Sequence, residues 1–115
     1  MSMELKELQN EILEFRNKRN WKQFHTIKDL LLGLNIEVAE LQELFLWKNP
    51  REIGKVKKTR IEEEVSDIFI LLTYICSHYD VDLISATRSK LKLNSEKYPI
   101  DKSYNSNKKY TEYSK

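Results

Sequence analysis

"NIEVAELQELF", residues 35–45, sets Glu37, Glu40 and Glu43 three residues apart, with leucine, isoleucine, valine and phenylalanine in most of the positions between them. Side chains three apart on a helix share a face, with Cβ atoms about 5–6 Å apart, so this spacing predicts like charges stacked on one side. The positions three or four residues from Glu37 and Glu40 are Gly33, Leu34, Ile36, Leu41, Glu43 and Leu44, and none is a cation. The helix therefore cannot neutralise its own carboxylates. Leu30, Gly33, Leu34, Leu44 and Trp47 extend the same stripe, which places the charges within an apolar face. "EEEVSDIF", residues 62–69, repeats the pattern: Glu64 and Asp67 are three apart, and Asp67 leads into the apolar run "IFILLTYIC". Arg60 can pair with Glu64, whereas Asp67 has only Glu63, Glu64, Ile70 and Leu71 at helical spacing. Acidic residues are favoured in the first turn of a helix by its dipole, which accounts for Glu62 and Glu63 but fades before Asp67 and Glu37.

Outward from these stretches the chain reads as all-α. It has 115 residues, 40% hydrophobic and 33% charged, with two glycines and two prolines, a composition for long helices and few turns in one domain. Met1, Leu5, Leu8, Ile12 and Phe15 predict a first helix over residues 3–19, with Arg16, Lys18 and Arg19 complementing its C-terminal dipole. Thr26 is the expected N-cap of a second helix reaching Trp47, with Asn49-Pro50 as its stop. "NPREIGKVKK" reads as a polar connector, and Thr59 with Glu62 as a capping box for a third helix ending near Tyr79. Asp82 opens a fourth helix that Pro99 ends. The expected organisation is a domain over residues 1–99 followed by a polar tail over 100–115, mobile or laid over a partner. Four helices with short connections predict a bundle. The third is apolar nearly all round between Ile68 and Cys76, so completion by oligomerisation is expected, as a homodimer or a dimer of dimers.

The +2 formal charge is too near balance to argue for nucleic acid, and "REIGKVKKTR" and the lysine-rich tail read as solvated segments. The start has no signal-like apolar region, and the longest apolar run is about half of a membrane span, so a non-exported protein without a membrane segment is expected. The single Cys76 excludes an intramolecular disulfide, suits a reducing cytoplasmic compartment, and reads as a buried small hydrophobe.

Two helices facing each other would gather Glu37, Glu40, Glu64 and Asp67 around a divalent cation. Hard carboxylate oxygens in that number suit Mg²⁺, with Mn²⁺ as the alternative, and such ions accept further oxygens from a phosphate. A di-iron bundle requires Glu-x-x-His, and neither His25 nor His78 has a glutamate three residues before it. The competing reading is a non-enzymatic helical oligomerisation module whose glutamates meet lysines across an interface.

The two acidic motifs, together with "NWKQFH", "EVAELQELFLW" and "VDLISATRSKLKLNSEKYP", resemble the all-α nucleoside triphosphate pyrophosphohydrolases of the MazG-like group, in its dCTP pyrophosphatase branch, over most of residues 15–99. The resemblance implies Mg²⁺-dependent hydrolysis between the α and β phosphates of a nucleoside triphosphate, giving the monophosphate and pyrophosphate. Glu37, Glu40, Glu64 and Asp67 are its implied catalytic and metal-binding residues. Trp21 and Trp47 match aromatic positions near the nucleobase, His25 the histidine of "FH", Lys90 and Asn94 positions that hold phosphate or sugar, and Lys97 and Tyr98 the "KYP" ending. Leu71 and Ile12 stand where a tyrosine and a histidine are found in the better-known dCTP enzymes, which implies a drier base pocket with altered selectivity. Ala39 replaces a glycine frequent between the two glutamates and is small enough to keep close packing.

Overall fold

Four long helices form where hydrophobic periodicity places them, and two one-turn helices form where it is silent. The computed structural model describes residues 2–113; Met1, expected at the start of the first apolar stripe, lies outside them, as do the last two residues of the tail. In chain order the helices are α1 (Ser2–Lys18), α2 (Ile27–Glu43), α3 (Pro50–Ile53), α4 (Lys58–His78), α5 (Leu83–Lys97) and α6 (Ile100–Ser103). Single 3₁₀ turns occupy Lys22–Phe24 and Tyr110–Glu112, and no strand occurs among the described residues. None of the described helices is long and apolar enough to cross a membrane alone.

The helix starts follow from local chemistry, with corrections. Thr26 Oγ1 accepts the Asp29 N–H at 3.2 Å, and Asp82 Oδ1 accepts that of Ser85 at 3.1 Å, as expected of N-caps. Asn49 does not merely stop α2; it opens α3. Its Oδ1 accepts from Glu52 N at 2.9 Å while Glu52 Oε1 accepts from Asn49 N at 3.2 Å, a reciprocal box with Pro50 in the first turn. Thr59 is not a cap: α4 begins at Lys58 behind Lys57, whose carbonyl takes the Arg60 N–H at 3.0 Å. α2 also ends earlier than expected, at Glu43, and the chain turns until Trp47, which takes a left-handed φ of 61°.

The chain forms two compact units, one extending to Asp80 and one starting at Val81. In the first, α4 packs against both α2 and α1. Gly33 admits the close approach of α2 and α4, for a Cβ there would lie 3.2 Å from Leu71 Cδ1. Among the described residues Leu30, Tyr74 and Cys76 are the buried hydrophobic side chains, and Thr73, also buried, donates its hydroxyl to the Phe69 carbonyl at 2.9 Å. Cys76 is thus the free, enclosed hydrophobe expected, and burial pushes its thiol pKa up. Leu31, Leu32, Ile36, Val38 and Val65 are exposed. So are Leu8 and Phe15, which the α1 stripe would have buried; Phe15 is covered instead by the Arg19 guanidinium, 3.6 Å from its ring centroid, and the edge of Trp21.

In the second unit, residues 100–113, expected to form a polar tail that is mobile or laid over a partner, carry secondary structure. α6 is followed by the 3₁₀ turn, and Tyr110 and Tyr113 set their rings edge-on to Tyr98 at 5.7 and 5.9 Å. Aromatic contacts of this kind depend on tertiary approach and leave no periodic trace in sequence.

Candidate metal centre

The approach of α2 and α4 at Gly33 and Leu71 determines what happens one turn further along each helix. Glu37 follows Gly33 by four residues and Asp67 precedes Leu71 by four; Glu40 and Glu64 follow in the same opposed order. One carboxylate oxygen from each of Glu37, Glu40, Glu64 and Asp67 lies within 4.8 Å of the others, and all four residues are half-buried. Glu43, the third member of the stacked trio, is exposed and outside the group.

The electrostatics are those of clustered, partly buried carboxylates. Glu37 is pushed up from 4.5 to about 7, first by burial, then by a hydrogen bond with Glu40 and the charges of Asp67, Glu40 and Glu64. Glu64 is pushed up as well, by burial, by a hydrogen bond with Glu40 and by the charges of Glu40 and Asp67, with Arg60 acting in the opposite sense. Oε2 of Glu37 and Oε2 of Glu64 are sealed from solvent and receive no hydrogen bond. Arg60, the expected partner of Glu64, instead pairs with Glu63 at 3.9 Å, and no lysine pairs with any of the four carboxylates among the described residues. Cross-helix ion pairs therefore do not account for the cluster within this chain. Four carboxylates, two of which carry a sealed oxygen that receives no hydrogen bond, fit a divalent cation of the Mg²⁺ type.

The other expected site residues are distributed over both units. Trp21 is exposed, edge-on to Phe15 at 5.9 Å. His25 is half-buried against Tyr74, ring centroids 4.6 Å apart, with Nδ1 sealed and unpartnered. Trp47 was expected one helical turn past Leu44 on the acidic stripe; because α2 ends at Glu43 it leaves that stripe, and it is 92% exposed. In the second unit Lys90 and Asn94 do share a face, lining a cavity of about 350 Å³ with Ala86, Thr87 and Leu91. Lys97 lies over Tyr110, Nζ 5.1 Å from the ring centroid, and Tyr98 is held by Tyr110 and Tyr113. Sequence reading assigned Arg16 to the dipole of α1, yet its side chain is buried; its place one turn past Ile12 on the apolar stripe was the available signal.

The MazG-like family matches residues 32–113. The chain belongs to the MazG-like family. The matched span contains all four clustered carboxylates together with Trp47, Lys90, Asn94, Lys97 and Tyr98, while Trp21 and His25 precede it. Human dCTP pyrophosphatase 1 is 40% identical to this MazG-like chain over 104 residues, which are 86% of the chain and 61% of the human protein. The bovine protein of the same name is also 40% identical over 104 residues, 86% of this chain and 62% of the bovine one. The chain thus spans about three fifths of the length of the curated relatives it matches. A pyrophosphatase from Archaeoglobus fulgidus, known from a crystal structure, superposes with a TM-score of 0.76 at 37% identity, covering 84% of this chain and 93% of that one.

Proposed function

We propose that this MazG-like chain is a nucleotide pyrophosphatase that hydrolyses a nucleoside triphosphate between its α and β phosphates, releasing the monophosphate and pyrophosphate. The observation that carries this reading is the meeting of Glu37, Glu40, Glu64 and Asp67 within 4.8 Å on two packed helices, with no ion pair to a basic side chain among the described residues. The relatives named dCTP pyrophosphatase support a deoxynucleotide substrate, dCTP or a modified pyrimidine nucleotide. Mg²⁺ is the proposed ion, with Mn²⁺ as its substitute, held by the four carboxylates; when bound it neutralises triphosphate oxygens and favours attack at phosphorus.

The chain's own contribution is position and proton transfer. α2 and α4 hold the four carboxylates in fixed register, so the ligand set is formed before substrate arrives. Glu37, whose Oε2 is sealed and receives no hydrogen bond, is the group proposed to orient or deprotonate the attacking water. Trp21 and Trp47 present exposed indole faces on which a base can stack, and His25 is the third group proposed for the nucleoside side. Lys90, Asn94, Lys97 and Tyr98 are proposed to hold phosphate and sugar. The catalytic domain spans residues 1–99, with 100–115 as its C-terminal extension. It acts as a homodimer or dimer of dimers in a reducing, cytoplasmic setting.

The test is incubation with ribo- and deoxynucleoside triphosphates, with and without Mg²⁺, and identification of the products. Pyrophosphate with a monophosphate is expected; orthophosphate with a diphosphate would overturn the reading. Glu40→Gln and Asp67→Asn should each lower turnover by about 100-fold or more. In EDTA both variants should melt no lower than the parent, because each removes repulsion from the metal-free cluster.

A further inference from the structure

A second concentration of charge, of the opposite sign, lies in the first unit away from the carboxylates. Arg16, near the end of α1, is only 5% exposed. Its guanidinium carbon lies 5.7 Å from the centroid of the Tyr74 ring, and its Nε donates to Asn17 Oδ1 at 3.0 Å. No carboxylate pairs with it among the described residues. The Arg16 carbonyl accepts the N–H groups of Arg19 and Trp21, each at 3.2 Å, which fixes the turn leading to His25. His25 completes the group against the same tyrosine, with Nδ1 enclosed and without a partner. Burial and then the charge of Arg16 lower its pKa, and the charges of both Arg16 and Arg19 act on the Tyr74 phenol.

A guanidinium enclosed without an anion is costly, and an aromatic face offsets that only in part. The Arg16 guanidinium, the His25 imidazole and the Tyr74 phenol come together from α1, the turn after it and α4, and all can donate hydrogen bonds; Arg19, whose Nη1 donates to the Phe15 carbonyl at 3.0 Å, adds its charge nearby. A carboxylate offers two coplanar oxygens to such a set, whereas a phosphoryl group offers three or more arranged in a tetrahedron. Tyr74 is seven residues past Asp67, about 10 Å along α4, so one phosphoryl group cannot occupy both places.

We propose that Arg16, with Arg19, His25 and Tyr74, forms a second ligand pocket that binds a phosphoryl oxyanion without a divalent cation. The pocket shares His25 with the proposed nucleoside side but none of the four clustered carboxylates, and its test uses neither turnover nor metal. The full chain in EDTA is titrated calorimetrically with orthophosphate, with pyrophosphate and with a non-hydrolysable nucleoside triphosphate, and acetate serves as the carboxylate control. Saturable binding of at least one phosphoryl probe is expected, with NMR shifts centred on Arg16 Nε and the His25 ring. Preference for orthophosphate or pyrophosphate identifies a free anion as the ligand, and preference for the triphosphate identifies a nucleotide.

Arg16→Gln should weaken that binding about tenfold or more, and Tyr74→Phe, which keeps the ring and removes the hydroxyl, by a smaller factor. Absence of binding by all three probes, equal binding of acetate, or unchanged affinity in a folded Arg16→Gln protein would overturn the proposal. Should Arg16→Gln fail to fold, Tyr74→Phe and the shifts in the unaltered chain decide: unchanged affinity, or shifts confined to the acidic cluster, would be equally fatal.

Discussion

Glu37 couples the acidic cluster to pH. Its folded carboxyl is raised from 4.5 to about 7, so between those values the folded, metal-free chain keeps a proton that the unfolded chain has released. Stability from this group is complete below 4.5, declines as pH rises through about 7, and is level above. Melting in EDTA should therefore fall across that window, Glu37→Gln should flatten the profile, and saturating Mg²⁺ should remove the loss at high pH. A metal-free melting temperature that climbs through the window would contradict the assignment. Trp47 offers a second test at this scale. A left-handed φ is strained for a bulky side chain, and this one is 92% exposed, so little packing within the chain offsets the strain. Trp47→Gly should stabilise the fold by about 1 kcal/mol while weakening the apparent affinity for nucleotide. A loss of stability, read in a denaturant titration, would show that the indole packs on something other than substrate.

Among the elements, the packing of α2 on α4 controls the cluster through Gly33. A Cβ at that position would sit 3.2 Å from Leu71 Cδ1, and a branched side chain has less room still. Gly33→Val should cost about 1–3 kcal/mol through overpacking and spread the carboxylates one turn away, lowering divalent-ion affinity in calorimetry. Unchanged stability together with unchanged ion binding would mean that the helices do not set the site. The helices and the quartet were legible in the sequence because both follow local rules: three-to-four spacing for the elements, and carboxylates without a cation in reach for the site. The start of α3 was not, since Asn before Pro serves equally to stop one helix and to cap the next. The burial of Arg16, signalled only by its place one turn past Ile12, and the folding back of Tyr110 and Tyr113 onto Tyr98 were obscured for another reason. A cation late in a helix and tyrosines in a polar tail have ordinary local explanations, and only tertiary contact overrides them.

At the scale of the whole molecule, the balance of apolar surface predicts association. Leu30, Tyr74 and Cys76 are the buried hydrophobic side chains among the described residues, a thin core for a chain of this length. Leu32 and Ile36, four apart on α2, share a face and are 57% and 51% exposed, with Leu31, Val38 and Val65 exposed as well. Apolar area left in water forgoes about 25 cal/mol per Å², so covering these faces with further copies of the chain would supply stabilisation that one copy lacks. If so, folding is linked to assembly, and the melting temperature should rise with protein concentration. Light scattering should report a dimer or a tetramer, and Leu32→Arg should shift the mass toward the monomer with a lower melting temperature. The same variant should lose activity on dilution before the parent does, because the register of α2 on α4 would then depend on a face no longer covered. A monomeric parent whose melting temperature is independent of concentration would show instead that this chain is stable with its apolar faces in water.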